Sequence, residues 1–178
     1  AETIGCYPSE IIFTSGATES NNLALKQILN QNVKAHIITS AVEHKCVLSI
    51  LYFIRQQGHE VTIIEPSENG TIDLEAIKKE IRTNTQLISI MHVNNELGVI
   101  NPVAEIGQFC FENGILFHTD AAQSFGKLEI DVDVMNIDMM SMSAHKIGGP
   151  KGVGALFVRD LRNKKLLPVI HGAGQEYG

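Results

Sequence analysis

The sequence lacks several features that would place it in a specialised class of protein. No apolar run is long enough to cross a membrane, so we expect no membrane partner. Positive charge is not in excess, and the net charge of −6 argues against a direct nucleic-acid partner. Internal repeats, low-complexity segments and linker-like stretches are also missing, so the 178 residues are expected to form one globular unit.

Cysteine is scarce, and the three cysteines show no pairing pattern. Cys6, Cys46 and Cys110 are odd in number, far apart and without a C-x-x-C spacing. This argues against a disulfide framework and favours a reducing compartment, so we expect a cytoplasmic location. We expect each cysteine to act as a small apolar residue, with Cys46 and Cys110 buried in helices.

Short β-rich runs alternate with helical patterns along the whole chain. The predicted strands span residues 10–14, 35–40, 60–66, 86–93, 115–120 and 138–143, with a last and antiparallel one at 152–159. The predicted helices span residues 15–29, 45–57, 73–81 and 102–113. This alternation with short connections predicts an α/β fold, a mostly parallel sheet with helices on both faces.

Local signals define three of the helices more closely. The segment 45–57 is apolar nearly all round and predicts a buried helix that ends at Gly58. Asp73 is a predicted N-cap. Asn101 followed by Pro102 predicts a second N-cap with proline at the first helical position.

Polar residues follow five of the predicted strands. In open parallel sheets, ligands bind at the carboxyl ends of the strands, so these residues are expected to meet at one edge. The candidate residues in these loops are Ala17, Thr18, His44, Asn95, Asp120, Gln123, Ser143, His145 and Lys146. Five such loops in succession predict a binding site.

Each of these signals, taken singly, has an ordinary structural explanation. The loop Ser15–Thr18 opens a helix and suits a phosphate, but a plain helix cap explains it as well. Asp120 is either a turn cap or an acceptor for a cationic ligand atom, since a buried carboxylate needs a partner. His44 is either a capped core histidine or a ring that stacks on a flat ligand. Turn chemistry alone accounts for Asn95 or Gln123.

Lys146 is the most specific signal. It lies between small, apolar residues and a double glycine, whereas Lys151 resembles an ordinary surface charge. We expect Lys146 to be partly desolvated, which makes a lysine amine nucleophilic. A nucleophilic lysine, a carboxylate, a stacking ring and a phosphate-binding helix start match the requirements of pyridoxal 5′-phosphate.

A metal-dependent hydrolase is an alternative of a different class. Its candidate ligands are His44, His92, His118, Asp120 and His145. Their spacings match no common zinc pattern, and a metal site would leave Lys146 unexplained. We therefore expect no metal.

Five motifs together resemble one known family. The segments TSGATESNNLA, EHKCV, MHVNNELGVI, HTDAAQS and SAHKIGGPKGVGALFV resemble the cysteine desulfurases, which are fold-type-I pyridoxal-phosphate enzymes of the class V aminotransferase group. The resemblance runs from about Glu10 to the end of the chain. It implies removal of sulfur from L-cysteine, leaving alanine and a persulfide on an enzyme cysteine, for iron–sulfur cluster assembly and tRNA thiolation. It also implies iron–sulfur scaffold or other sulfur-acceptor proteins as partners, and a homodimer.

The resemblance assigns a role to each candidate residue. Lys146 would hold the cofactor as a Schiff base, Asp120 would pair with the pyridine nitrogen, and His44 would stack on the ring and move protons. Two amide side chains would lie near the phenolic oxygen, namely Gln123 and Asn95. Four residues would hold the phosphate, namely Ala17, Thr18, Ser143 and His145.

The chain also departs from the family pattern. None of the three cysteines matches the persulfide position, and Tyr177 stands where an Arg-Gly run is usual. We therefore expect residues 1–178 to be part of the large, cofactor-binding domain, without the N-terminal segment and the C-terminal small domain, and to be inactive in isolation. A selenocysteine lyase, another class V aminotransferase and a non-catalytic scaffold remain alternatives.

Overall fold

The computed structural model describes residues 1–30, 33–174 and 176, so the prediction for Tyr177 lies outside the described residues. These described residues form seven strands and four α-helices, joined by short 3₁₀ turns and loops; strands and helices alternate up to the fifth strand, and the last three strands follow one another without an α-helix between them. In chain order they are β1 (Ile11–Thr14), α1 (Ala17–Leu25), β2 (His36–Ser40), α2 (Lys45–Gln56), β3 (Glu60–Ile64), α3 (Leu74–Lys79), β4 (Thr85–Ser89), α4 (Val103–Asn113), β5 (Leu116–Asp120), β6 (Met139–Ser143) and β7 (Gly154–Val158).

The strands form one sheet in the order β1-β7-β6-β5-β4-β2-β3. All neighbouring strands in the part of the sheet that runs β3-β2-β4-β5-β6 are parallel to each other. Strand β7 runs antiparallel to both of its neighbours, β6 and β1. The predicted fold class, a mostly parallel sheet, is therefore confirmed, as is the antiparallel last strand. The parallel arrangement brings the carboxyl ends of β2, β4, β5 and β6 to one edge.

Two apolar cores lie on opposite faces of the sheet. Successive strand residues point to opposite faces, so Leu87 of β4 joins the core beneath α1 and α2, while Ile88 joins the core beneath α3 and α4. Cys110 of α4 is fully buried in the second core, as predicted. Within the described residues, no helix has both the length and the apolar character needed to cross a membrane.

The prediction that α2 is buried nearly all round is wrong. Its buried stripe is Val47, Ile50 and Ile54, together with Leu51, but Tyr52 is 65% exposed and Phe53 is 40% exposed. A helix that covers a sheet buries only the face that meets the strands, whatever its overall composition.

The two predicted helix caps differ in outcome. Asp73 does cap α3, since its Oδ1 accepts from the Glu75 N–H at 2.9 Å. Asn101 does not cap α4: its Oδ1 accepts from the Ile72 N–H at 2.9 Å, and its Nδ2 donates to the Met91 carbonyl at 2.8 Å. The side chain that would have capped the helix instead joins two loops, and the helix begins after Pro102 without a side-chain cap.

Candidate functional site

A cavity of about 440 Å³ opens at the carboxyl edge of the parallel strands. All nine residues predicted from the sequence line it, although they come from five separate loops: Ala17, Thr18, His44, Asn95, Asp120, Gln123, Ser143, His145 and Lys146. The structure thus brings the candidate residues together. Their individual roles toward a ligand stay predictions.

The first turn of α1 forms one end of the cavity. The loop Ser15–Gly16 leads from β1 into the helix, and Ala17 and Thr18 supply its first N–H groups. Such groups have no intrahelical partner and carry the positive end of the helix dipole, so they suit an anion. Glu19 turns its carboxylate back to the Ser15 N–H at 2.7 Å, which pairs that charge within the loop.

Glycine at position 154 allows this turn to sit close to the sheet. A Cβ atom on Gly154 of β7 would lie 2.5 Å from the Cα of Gly16, a distance that real Cβ atoms do not adopt. The backbone of this turn therefore packs directly on the backbone of β7. Ser143 and His145 lie beside it, with Ser143 Oγ and His145 Nδ1 2.8 Å apart.

Asp120 forms the floor of the cavity at the end of β5. It is only 4% exposed. Its Oδ1 accepts from the Ala122 N–H at 2.9 Å, and its Oδ2 accepts from Asn21 Nδ2 at 2.7 Å. Burial raises the pKa of Asp120, while these two hydrogen bonds and the nearby His44 act in the opposite direction.

His44 is the N-cap of α2, and its ring is exposed in the cavity. The interpretation of His44 as a buried core histidine is therefore wrong. Its Nδ1 accepts from the Cys46 backbone N–H at 3.2 Å, so in the neutral ring the proton resides on Nε2. The cap thus fixes both the ring's position and the nitrogen that can donate.

Two further loops present amide side chains. Asn94 holds its loop by donating to the Val42 carbonyl at 2.7 Å and accepting from the Leu97 N–H at 2.7 Å. This leaves the neighbouring Asn95 exposed toward the cavity. Gln123 lies half-buried in the turn after β5.

Lys146 lies in a short 3₁₀ turn, Ala144–Ile147, directly after β6. Gly148 ends that turn with φ of 81°, a left-handed conformation that favours glycine, and the Gly149 N–H then donates to the Ala144 carbonyl at 2.9 Å. The double glycine therefore closes the loop that carries the lysine. Lys146 is exposed, so the expectation of partial desolvation is wrong for the described residues, because the cavity is open on that side. Lys151, predicted to be an ordinary surface charge, also lines the cavity.

Two residues of this region were missed by sequence reasoning. Cys46 was expected to be buried among apolar residues, but it is only partly buried, and it lines the cavity. Its position follows from being two residues after the cap, where α2 still faces the site. Burial raises the pKa of its thiol, which disfavours the nucleophilic thiolate. Asn21 is fully buried beneath the cavity and contacts Asp120.

The described part of the chain contains no ligand set that would support the alternative of a metal-dependent hydrolase. There, no group of three or more His, Cys, Asp or Glu side chains is close enough to hold a metal ion. His118, one of its candidate ligands, is fully buried between Ser89 Oγ at 2.8 Å and Ser141 Oγ at 3.1 Å. Its two ring nitrogens are thus occupied within the sheet.

Comparison with known proteins adds a family and several relatives. The aminotransferase class-V family matches residues 1–177. The mitosomal cysteine desulfurase of Encephalitozoon cuniculi is 53% identical over 182 residues, which cover 100% of this chain and 42% of the relative. The cysteine desulfurase IscS of Rickettsia africae is 53% identical over 180 residues, 100% of this chain and 44% of the relative.

Solved structures show the same arrangement. The structure described as SspA in complex with cysteine is 56% identical, with a TM-score of 0.97, covering 100% of this chain and 52% of that one. A NifS-like protein is 39% identical with a TM-score of 0.93, covering 100% of this chain and 49% of that one. The chain therefore spans about half the length, or less, of the proteins it resembles.

Proposed function

The chain belongs to the aminotransferase class-V family, and from this premise we propose that the protein is a pyridoxal-phosphate-dependent cysteine desulfurase. One observation carries the proposal. A single cavity joins an anion-binding helix start, a buried carboxylate and a lysine amine, at Thr18, Asp120 and Lys146. The desulfurase names of the 53%-identical relatives and the cysteine complex of SspA support L-cysteine as the substrate.

The residues present fit pyridoxal phosphate on the chemistry of the donor set. The cofactor carries a phosphate, a pyridine nitrogen and an aldehyde, which need an anion site, a carboxylate and an amine respectively. The first turn of α1, Asp120 and Lys146 offer these three groups around one cavity. The close contact between Gly154 and Gly16, which a methyl group would prevent, shapes the anion end.

Each residue contributes a separate physical effect. When bound, the cofactor supplies an electron sink for charge that develops on the substrate. The N–H groups of Ala17 and Thr18, with Ser143 and His145 beside them, would bind the phosphate. Asp120 would hold a negative charge for the ring nitrogen, and its burial would strengthen that interaction by excluding water.

The remaining residues would position the cofactor and supply a proton donor. Lys146 supplies the amine that anchors the cofactor, and its exposed position leaves that amine accessible. His44 offers a flat ring on the open side of the cavity and a proton on Nε2, because Nδ1 is held by the Cys46 N–H. Gln123 and Asn95, which both line the cavity, would orient the ring's phenolic oxygen.

The sulfur acceptors and the setting belong to the same proposal. We propose iron–sulfur scaffold proteins, and a tRNA thiolation route, as sulfur acceptors, in keeping with the IscS name of the bacterial relatives. We also propose that the protein forms a homodimer and is located in the cytoplasm. Size-exclusion chromatography coupled to light scattering, and cell fractionation with a compartment marker, test these two parts.

The experiment uses the full-length protein with pyridoxal phosphate, L-cysteine and a reductant. We expect alanine and sulfide in equal amounts, and reduction with borohydride should attach the cofactor to the peptide containing Lys146. The matched controls are Lys146→Ala, which should lose the attachment, and Lys151→Ala, which should keep it. Attachment at Lys151 or Lys127 alone, or turnover of L-selenocysteine without turnover of L-cysteine, would overturn the proposal.

A further inference from the structure

Asn21 is a fully buried polar residue that the family assignment leaves without a role. It lies one turn into α1, the helix that begins at the anion-binding loop, and this helix packs on β5, β6 and β7. Its side-chain amide reaches two groups of the cavity: Nδ2 lies 2.7 Å from Asp120 Oδ2 and 3.2 Å from Cys46 Sγ. Both hydrogens of the amide nitrogen are therefore used.

The other end of the same amide is unsatisfied. Asn21 Oδ1 is buried and has no hydrogen-bond partner among the described residues. A buried unpaired carbonyl costs folding free energy, and an apolar side chain of the same shape would avoid that cost. The unpaired oxygen therefore gives no reason for an asparagine here, whereas the two hydrogen bonds that the amide nitrogen donates do.

The first donated bond acts on Asp120. Asp120 Oδ1 is held by the Ala122 N–H and Oδ2 by Asn21, so the plane of the carboxylate is fixed from both sides. Both donors favour the ionised carboxylate against the effect of its burial. Without Asn21, one oxygen would lose its partner and the carboxylate could rotate.

The second donated bond acts through Cys46. Because Asn21 donates to Sγ, the thiol is free to direct its own hydrogen to His44 Nδ1, which lies 3.0 Å away. That nitrogen has one lone pair, which already accepts from the Cys46 backbone N–H, so the thiol hydrogen would share it in a three-centre bond, with the ring proton still on Nε2. With this assignment, the direction of donation runs from Asn21 to Cys46 to His44.

We propose that Asn21 is a positioning residue, whose amide ties the carboxylate of Asp120 and the thiol of Cys46 into one hydrogen-bonded chain that ends on His44 Nδ1. This inference rests on the proposed function and deepens it. The chain orients the group that meets the pyridine nitrogen, and it is compatible with the His44 proton on Nε2, which the Cys46 backbone N–H already requires.

The test uses the full-length protein and the variant Asn21→Leu, which keeps the side chain's size and removes both donors. The matched control is Asn22→Leu, because Asn22 lies next to it on the same helix and its Nδ2 only donates to the Thr18 carbonyl at 2.9 Å. Each protein is titrated with pyridoxal phosphate and with a phosphorylated hydroxybenzaldehyde in which C–H replaces the ring nitrogen. Only the first ligand can engage Asp120.

We expect Asn21→Leu to weaken pyridoxal phosphate binding roughly 10- to 100-fold, the scale of a hydrogen bond to a charged group. Binding of the nitrogen-free analogue should stay within about threefold of the wild type, and Asn22→Leu should change neither affinity. Equal weakening for both ligands would show a merely structural role and overturn the inference. So would unchanged binding of both ligands. If Asn21→Leu does not fold, Asn21→Ala is read by the same criteria.

A second readout needs no cofactor. In the apo protein, ¹³C NMR of the carboxyl groups follows the titration of Asp120, and its midpoint should move to higher pH in Asn21→Leu, because a bond that favours the ionised form is lost. An unmoved midpoint would overturn the inference. If the wild type itself fails to bind pyridoxal phosphate, the proposed function fails, and this titration still decides whether Asn21 controls Asp120.

Discussion

The two edges of the parallel sheet treat their polar side chains in opposite ways. At the amino edge, charged groups are paired with each other: Lys34 and Arg82 both contact Glu60, at 2.6 and 2.7 Å. At the carboxyl edge, Lys146, His44 and Asn95 are exposed around an open cavity. Paired charges on an exterior surface contribute little beyond solubility, whereas convergent polar groups that remain accessible can bind a ligand.

Two aspartates, one at each edge of the sheet, allow the surroundings of the same side chain to be compared. Asp120 ends β5 and faces the cavity, while Asp138 precedes β6 at the opposite edge, where its Oδ2 accepts from the Phe117 N–H at 2.8 Å. Arg159 lies 3.9 Å from the other oxygen of Asp138. Both carboxylates are hydrogen-bonded within the fold, but Asp120 also lines the cavity, whereas Asp138 does not.

The largest effect expected is that of Asp120→Asn on turnover. Losing the negative charge opposite the ring nitrogen should lower kcat for L-cysteine desulfuration roughly 100- to 1000-fold, the scale of losing one preorganised electrostatic partner. Steady-state sulfide release from the full-length protein measures it. Asp138→Asn is the control and should lower the melting temperature while kcat stays near that of the wild type. A near-normal kcat for Asp120→Asn would remove the distinction between the two edges.

A smaller effect is expected from Gly154→Ala. The added methyl group would meet Gly16 at 2.5 Å and push the first turn of α1 away from the sheet, which should weaken pyridoxal phosphate binding about tenfold or more. Fluorescence titration measures the affinity, and denaturant unfolding measures the stability.

The control for that variant is Gly107→Ala in α4, where a Cβ would lie 2.0 Å from the Met135 carbonyl oxygen, away from the cavity. Both variants should lose about 1–3 kcal/mol of unfolding free energy, as overpacked sites do. Only Gly154→Ala should lose affinity. Loss of affinity in both would mean that general destabilisation, and not the position of the turn, controls binding.

The smallest effect expected at neutral pH is that of His118, which lies inside the sheet between the two edges, on the stability of the fold. Burial lowers the pKa of His118 to about 3, against about 6.5 in an unfolded chain. The unfolded state therefore binds the proton more readily, and stability that is present above about pH 6.5 is lost as the pH falls toward 3, at up to roughly 1.4 kcal/mol per pH unit.

Denaturant unfolding between pH 7.5 and 4 tests this dependence. His118→Gln should flatten the acid side of the profile, whereas the exposed His171, changed to Gln, should leave the slope as in the wild type. An unchanged slope in His118→Gln would show that other groups cause the acid sensitivity.

The sequence predicted those features that depend on local pattern. Alternating strands and helices identified the fold, and the residues after five of the strands identified the cavity, because a parallel sheet collects its strand ends at one edge. Asp73 was predicted as a cap because its partner, the Glu75 N–H, is two residues away.

Features that depend on distant contacts could not be predicted in this way. Asn21 and Asp120 are 99 positions apart, and the sequence alone does not show whether Asn21 or its neighbour Asn22 faces the sheet. Asn101 had the right residue type for a cap, but its amide is hydrogen-bonded instead to the backbone groups of two loops, at Ile72 and Met91. Tyr52 and Phe53 are exposed because a sheet offers α2 only one face to cover.

The helix α1 joins two parts of the candidate site in one rigid element. Its first turn offers N–H groups to an anion, and its second turn places Asn21 against Asp120. At 1.5 Å of rise per residue, Thr18 and Asn21 are about 4.5 Å apart along the axis. A small shift of α1 over the sheet would move the first turn and Asn21 together and keep their spacing. One movement of this helix would therefore disturb the anion end of the cavity and the hydrogen bond to Asp120 at the same time.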